Sequence, residues 1–248
     1  MAGIGCEEEC TPLLRNNRCH ENTLAGIGCR DNARPVIVGN QCDGNKAVGI
    51  GFDDTESGQA VVINNRVLDN DKVAIGIHSG WKVRVVGNEL SRPDGLPPVV
   101  MVLKGAEVDF ADNHFRGSGV AGIRTEGKIR ATGNTFECPS LREGGGPPQF
   151  AVWGLPGSSI VFTGNTVRGW RHGLFADKAG VTACENRIGN YGEVGIKIDQ
   201  PIGKVVAVGN IFESGRDRVG VSISGGDGVV ENNRIEKPKP ADAARQPN

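Results

Sequence analysis

The chain has 248 residues, of which 38% are hydrophobic and 38 are glycine, and its formal net charge is −1. This nearly neutral balance offers no electrostatic surface for a nucleic-acid backbone, so we expect no nucleic-acid partner. The apolar stretches are too short to span a membrane, and no leader of basic, apolar and small residues precedes the first repeat. The sequence therefore predicts a soluble protein without a membrane partner. It assigns no compartment, and an extracytoplasmic location stays open if the N-terminus is truncated.

One short phrase, an asparagine followed two residues later by an apolar residue, recurs along the whole chain. Successive copies are 21 to 31 residues apart, and a Gly-Ile or similar phrase precedes most of them. The repeated asparagines are Asn17, Asn40, Asn65, Asn88, Asn113, Asn134, Asn165, Asn186, Asn210 and Asn233. A period in the twenties with short Val- and Ile-rich runs indicates a solenoid with one repeat per coil.

Each repeat is too short and too poor in helix-forming runs for a pair of helices. The sequence therefore predicts an all-β fold, a right-handed single-stranded parallel β-helix of about ten coils over residues 1–237. We expect the asparagine side chains to stack as a ladder at a bend and the apolar residue two positions later to point into a narrow core. Residues 238–248 are polar and rich in proline and alanine, which predicts a disordered tail.

The repeat begins at Ala2, directly after Met1, without a segment that would cap the first coil. Solenoids need their terminal coils covered. We therefore expect a partner or a missing segment to cover the N-terminal coil. Whether the chain is a fragment of a longer protein and what its oligomeric state is both stay open.

Seven cysteines stand at positions 6, 10, 19, 29, 42, 138 and 184, and five of them lie in the first two repeats. Strand alternation turns Cys19, Cys29 and Cys42 inward, where apolar residues stand in later coils. We therefore expect buried, reduced thiols without a metal, and no cofactor. A thiolate metal site at this end, with His20 as a further ligand, and disulfides are the alternatives.

Two columns of side chains are expected to point outward from the Gly-Ile strands. The first runs through Gly5, Gly28, Gly51, Gly76, Val102, Arg124, Trp153, Phe175, Lys197 and Ser222. The second runs through Glu7, Arg30, Asp53, His78, Lys104, Glu126, Asp177, Asp199 and Ser224. In coils five and seven a shift by one residue is possible, which affects the placement of Val102, Lys104 and Trp153.

The second half of these columns carries side chains of unlike chemistry. The turn that leads into the same sheet carries the two long insertions, at 91–98 and 139–148, and such insertions often mark a binding face. We therefore expect a ligand over coils four to eight. The candidate ligand-binding residues are Arg124, Glu126, Trp153 and Asp53, and the candidate catalytic residues are His78, Lys104, Arg124, Asp177 and Asp199. The alternative for each of them is an ordinary solvated surface residue.

The Gly-Ile strand, the asparagine turn and the step of roughly 23 residues resemble the NosD-type right-handed β-helix repeats. That family also covers carbohydrate-binding and sugar-hydrolase proteins and mannuronan C5-epimerases. The resemblance implies the fold and an outward face that meets polysaccharides. The Asp-Pro-His-Asp signature of the epimerases is absent at the matching positions, where Asp53 and His78 alone resemble it in type.

Three functions remain open at this point. The first is a β-helix module that binds a carbohydrate or a protein, or acts as a rigid scaffold. The second is a polysaccharide-modifying enzyme, a lyase, epimerase or hydrolase that uses the outward face of the Gly-Ile sheet. In a lyase or epimerase, Arg124 or Lys104 neutralises a uronate and His78 acts as base or acid. For hydrolysis, Asp177 and Asp199 would serve as the facing acid and carboxylate. The third is a metal-handling module that uses the N-terminal cysteines.

Overall fold

The structure is a computed structural model that describes residues 1–93, 95–140, 149–214 and 217–237. Thirty strands form three ten-stranded parallel sheets, and each coil gives one strand to each sheet. The right-handed parallel β-helix of about ten coils is thereby confirmed. Within the described ranges there is no helix long and apolar enough to cross a membrane. The tail 238–248, for which disorder is predicted, lies outside the described residues.

The strands are numbered in chain order. The first sheet contains β1 (Ile4–Cys6), β4 (Ile27–Cys29), β7 (Val48–Phe52), β10 (Val73–Ile77), β13 (Val100–Val102), β16 (Ala121–Thr125), β19 (Phe150–Gly154), β22 (His172–Asp177), β25 (Val194–Asp199) and β28 (Val219–Ser224). The second contains β2 (Leu13–Arg15), β5 (Val36–Val38), β8 (Gly58–Ile63), β11 (Trp81–Val86), β14 (Glu107–Ala111), β17 (Lys128–Thr132), β20 (Ser159–Thr163), β23 (Gly180–Cys184), β26 (Val205–Val208) and β29 (Gly228–Glu231). The third contains β3 (Arg18–His20), β6 (Gln41–Asp43), β9 (Arg66–Leu68), β12 (Glu89–Arg92), β15 (His114–Gly117), β18 (Thr135–Glu137), β21 (Thr166–Arg168), β24 (Arg187–Gly189), β27 (Ile211–Glu213) and β30 (Arg234–Glu236).

A left-handed residue makes the bend between the second and third sheets. The residue before each ladder asparagine has a positive φ in all ten coils, and it is Gly, Asn or Asp in every coil except at Glu185. These three residue types adopt that conformation at least cost. The turn of each repeat is therefore formed by the residue that precedes the ladder asparagine.

The predicted asparagine ladder is continuous from Asn17 to Asn233. In each step, the side-chain Nδ2 of one asparagine donates to Oδ1 of the asparagine in the next coil, over 2.9–3.0 Å. From Asn40 onward, Nδ2 also donates to a backbone carbonyl of the preceding coil, as Asn88 does to Val62. A shorter ladder of Asn22, Asn45 and Asn70 follows the third sheet in coils one to three.

The residue two positions after each ladder asparagine points into the core from Cys19 to Phe212, as predicted, and most of this column is fully buried. Ile235 in the last coil is the exception, because no further coil covers it within the described residues, and it is 63% exposed. Phe115 and Phe136 stack in it with ring centroids 4.5 Å apart. The cysteines of the first two coils fill the same narrow interior, where Cys19, Cys29 and Cys42 are buried and unbridged. Among the described residues, no three His, Cys, Asp or Glu side chains are grouped closely enough to hold a metal ion.

Candidate functional site

The register of the first sheet fixes which side chains share its outer face. The glycine column runs through Gly5, Gly28, Gly51, Gly76, Met101, Arg124, Trp153, Phe175, Lys197 and Ser222. The neighbouring column runs through Glu7, Arg30, Asp53, His78, Leu103, Glu126, Leu155, Asp177, Asp199 and Ser224. Trp153 thus lies where the sequence placed it.

In coil five the predicted placement of Val102 and Lys104 is wrong by one residue. Val100 pairs with Ile75, so that Met101 enters the glycine column and Val102 is buried. Lys104 therefore leaves the outward column for the following turn, where it is exposed. The run from Val99 to Leu103 is apolar throughout, and without polar alternation the sequence could not fix its register.

Four outward side chains on neighbouring coils form a row, which we call the outer row: Arg124, Trp153, Phe175 and Lys197. All four are half-buried and stand in register on β16, β19, β22 and β25. The guanidinium of Arg124 lies 5.7 Å from the Trp153 ring centroid, and the Lys197 ammonium lies 5.4 Å from that of Phe175. The row therefore presents two aromatic rings between two cations, each within cation–π distance of its neighbour.

Phe150 supports the two rings of the outer row. Its ring centroid lies 5.2 Å from that of Trp153, 5.1 Å from that of Phe175 and 5.3 Å from that of His172. Phe150 is itself 4% exposed. Such contacts restrict ring rotation, so the two half-buried rings of the outer row are held in fixed orientations.

Three carboxylates lie beside the outer row, with Leu155 between the first and the second of them. Glu126 accepts a hydrogen bond from Arg124 Nη2 at 2.8 Å, and Asp199 lies 3.3 Å from the Lys197 ammonium. Asp177 and Asp199 are register partners on β22 and β25, and Ser224 donates to Asp199 at 2.9 Å. The face therefore combines aromatic surface with charged donors and acceptors at defined positions.

His172 packs beneath the row and is neutral at ordinary pH. Burial lowers its pKa, with a smaller contribution in the same direction from Arg171, against the opposing effect of Glu193. Its Nε2 lies 3.3 Å from the Glu193 carboxylate, and its Nδ1 has no hydrogen-bond partner among the described residues. The imidazole therefore serves mainly as a flat ring against Phe150.

The structure separates His78 and Asp53 from this cluster. His78 stands in the predicted column but pairs with Asp54 at 3.5 Å, and it lies two coils before Glu126. At about 4.8 Å per coil the two positions are roughly 10 Å apart. Asp53 is exposed one coil further away. Of the predicted residues, the structure brings together Arg124, Glu126, Trp153, Asp177 and Asp199, over coils six to nine.

Sequence reasoning missed Phe150 and His172 as members of the cluster. A signal was present, because Phe150-x-x-Trp153 and His172-x-x-Phe175 repeat one spacing on consecutive coils. The stretch around Trp170 and His172 reads as turn packing, which fits the fully buried Trp170 but not His172. Residue 94 of the first insertion and 141–148 of the second lie outside the described residues.

Comparison with known proteins adds support for the fold. Residues 1–96 match the family model described as the right handed beta helix region. No curated protein and no solved structure gives a match. The matched segment ends before the outer row begins, so the likeness concerns the architecture and not the candidate site.

Proposed function

We propose that this β-helix module binds an oligosaccharide along the outer row. The observation that carries the proposal is the sequence of cation, ring, ring and cation on four consecutive coils. Three steps of about 4.8 Å give the row a length of roughly 14 Å, which suits a short extended chain of sugar rings. Binding along the sheet also needs little rearrangement, because the side chains stand on paired strands rather than on loops.

Trp153 and Phe175 supply the apolar part of the surface. Sugar rings have one face lined by C–H groups, and half-exposed aromatic rings bury such faces favourably. Phe150 and His172 hold the rings from behind, so that little side-chain entropy is lost on binding. These contacts favour a ligand with a flat apolar face and a polar edge.

The flanking charged groups supply the polar part. Arg124 has five N–H donors and gives one hydrogen bond, to Glu126, within the described part of the chain. Its remaining donors suit a sugar carboxylate or hydroxyl groups, and a guanidinium binds a carboxylate bidentately. Glu126, Asp177 and Asp199 offer acceptors for hydroxyl groups on the other side of the row. We therefore favour an oligosaccharide that contains uronate residues.

Binding to an array of neutral and uronate-containing oligosaccharides tests the proposal. We expect a ligand whose affinity falls at least tenfold in Trp153→Ala. Arg130→Ala is the matched control, because Arg130 is an exposed residue of the second sheet, paired with Asp109 at 3.7 Å. If the array contains no ligand, or if substitution of Trp153 and Arg124 leaves the affinity of every ligand unchanged, only the scaffold role remains.

One observation favours glycoside hydrolysis as a second candidate function. Asp177 and Asp199 stand in register, so their strand positions are about 4.8 Å apart. Retaining glycosidases hold their two carboxyl groups about 5–5.5 Å apart. Hydrolysis would require Asp199→Asn to abolish product formation while the affinity for the oligosaccharide persists. If the unchanged protein hydrolyses no oligosaccharide and Asp199→Asn only lowers the affinity, Asp199 is a binding residue.

A further inference from the structure

We propose that Cys6, Cys10 and Cys29 form a redox modification site at which a small-molecule disulfide produces a Cys6–Cys29 bond between the first two coils. The site lies in the first two coils, with Cys6 and Cys29 in the first sheet and Cys10 in the turn after β1, far along the rod from the outer row. It is independent of the proposed binding function.

The backbone already holds Cys6 and Cys29 on neighbouring strands at a Cα spacing that a disulfide can bridge. The two are register partners on β1 and β4, and both side chains are buried. Paired strands lie about 4.8 Å apart, which falls within the 4.4–6.8 Å between Cα atoms that disulfides require. Their thiols also interact, since each shifts the pKa of the other. A disulfide therefore needs side-chain rotation but no shift of the strands.

Cys10 gives the buried pair a route to solvent. Its side chain is partly exposed and packs against the core cluster that contains Cys6, and its thiol lowers the pKa of Cys6. Cys19 and Cys42 provide a comparison within the same two coils, since they are also in register and buried. Within the described part of the chain, no third thiol affects the pKa of either member of that second pair.

The reaction balances as two thiol–disulfide exchanges and one transfer within the cluster. Burial and the neighbouring Cys6 raise the pKa of Cys10, so only its ionised fraction attacks the small disulfide, in an exchange that forms a mixed disulfide on Cys10 and releases one small thiol. Cys6 then attacks the Cys10 sulfur and releases the second small thiol. Finally Cys29 attacks Cys6, and its proton passes to the departing Cys10 sulfur. Two protein thiols are oxidised, and the S–S bond of the small molecule is reduced to two thiols.

The pKa shifts favour Cys6 as the buried thiol that attacks the oxidised Cys10. Hydrogen bonds from Cys29 and Cys10 lower the pKa of the Cys6 thiol by more than burial raises it. The hydrogen bond to Cys6 and burial raise the pKa of Cys29. Because the thiolate is the attacking species, Cys6 is the member of the buried pair that reacts first with an oxidised Cys10.

Oxidation of the folded full chain with oxidised glutathione tests the proposal. After alkylation of the remaining thiols, mass spectrometry of peptides identifies each disulfide over time. We expect Cys6–Cys29 as the end product, formed at least tenfold more slowly in Cys10→Ser. Cys184→Ser is the matched control, because Cys184 is partly exposed and lies in the second sheet away from this cluster, and it should leave the rate unchanged.

Three results would overturn the proposal. The first is a mixed disulfide or a Cys6–Cys10 bond that persists while Cys29 remains open to alkylation. The second is no oxidation of the cluster at all. The third is a Cys19–Cys42 bond that forms as fast as Cys6–Cys29, because oxidation would then follow general opening of the coils. Cys10→Ala repeats the rate measurement if the serine variant disturbs the first coil, as judged by circular dichroism.

Discussion

Arg124 lies over the indole of Trp153, with its guanidinium carbon 5.7 Å from the ring centroid, while its Nη2 donates to Glu126. The contact joins two consecutive coils that lie on either side of the second insertion. Arg124 is held from two directions, so the guanidinium and the ring form a prearranged unit on the sheet surface.

Arg124→Ala should weaken binding of a uronate-containing oligosaccharide by about 1.5–3 kcal/mol, the usual contribution of a hydrogen bond to a charged group. Isothermal titration calorimetry measures this difference. The melting temperature should change little, because the side chain lies outside the core and its ion pair with Glu126 is partly exposed. Equal affinities for the variant and the unchanged protein would remove Arg124 from the binding site.

Asn88→Leu should lower the free energy of unfolding by about 1–3 kcal/mol. Asn88 is 1% exposed, donates to Val62 and Asn113, and accepts from Asn65, so several buried backbone and amide groups would lose their partners. Urea denaturation measures the loss. Asn17→Leu is the control at the ladder's first, half-buried position and should cost less; equal losses would contradict a cooperative ladder.

The stability of the chain should depend on the protonation of His172. Its pKa in the folded protein lies below the ordinary value of 6.5, mainly because of burial, so the unfolded chain binds the proton more readily. This contribution to stability is complete above about pH 6.5 and is lost as the pH falls below it. The free energy of unfolding should therefore decrease less between pH 7.5 and 5.5 in His172→Gln. A steeper decrease in the variant would contradict the burial of a neutral ring.

Two glycines of the first sheet should respond differently to alanine. A Cβ at Gly49 would lie 2.1 Å from a methyl carbon of Val67 and 2.8 Å from the Ala74 carbonyl oxygen, so Gly49→Ala should cost about 1–3 kcal/mol. A Cβ at Gly76 would meet nothing closer than 3.4 Å, and Gly76→Ala should be neutral or slightly stabilising. Thermal unfolding compares them. A large loss of stability in Gly76→Ala would mean that the outward-facing glycines are needed for the stability of the fold.

The fold was accessible from the sequence because one physical requirement repeats in every coil. Each bend needs a left-handed residue followed by an amide, and each coil needs one inward apolar side chain after it, so the pattern was visible ten times. The second ladder of Asn22, Asn45 and Asn70 cannot be recognised as a repeat in the sequence, because it spans only three coils. Coil five was misplaced because its uninterrupted apolar run offers no alternation.

The candidate site was accessible only in part. Alternation placed Arg124, Trp153 and Asp199 on the outer face, since that follows from the repeat alone. The role of Phe150 could not be read in the same way, because an outward position becomes buried only through the rings that surround it. For His78 the predicted column is correct, but its pairing with Asp54 depends on turn geometry, which the repeat pattern does not give.

The hydrogen bond between Asn134 and Asn165 spans 31 residues, yet its length of 3.0 Å equals that of the bond between Asn113 and Asn134, which spans 21. The spacing along the ladder therefore depends on the number of coils and not on the number of residues between the asparagines. A peptide inserted at the turn between the third and first sheets would be displayed at a height set by its coil number, in increments of about 4.8 Å. Separate epitopes inserted in different coils would therefore be held at chosen distances from one another.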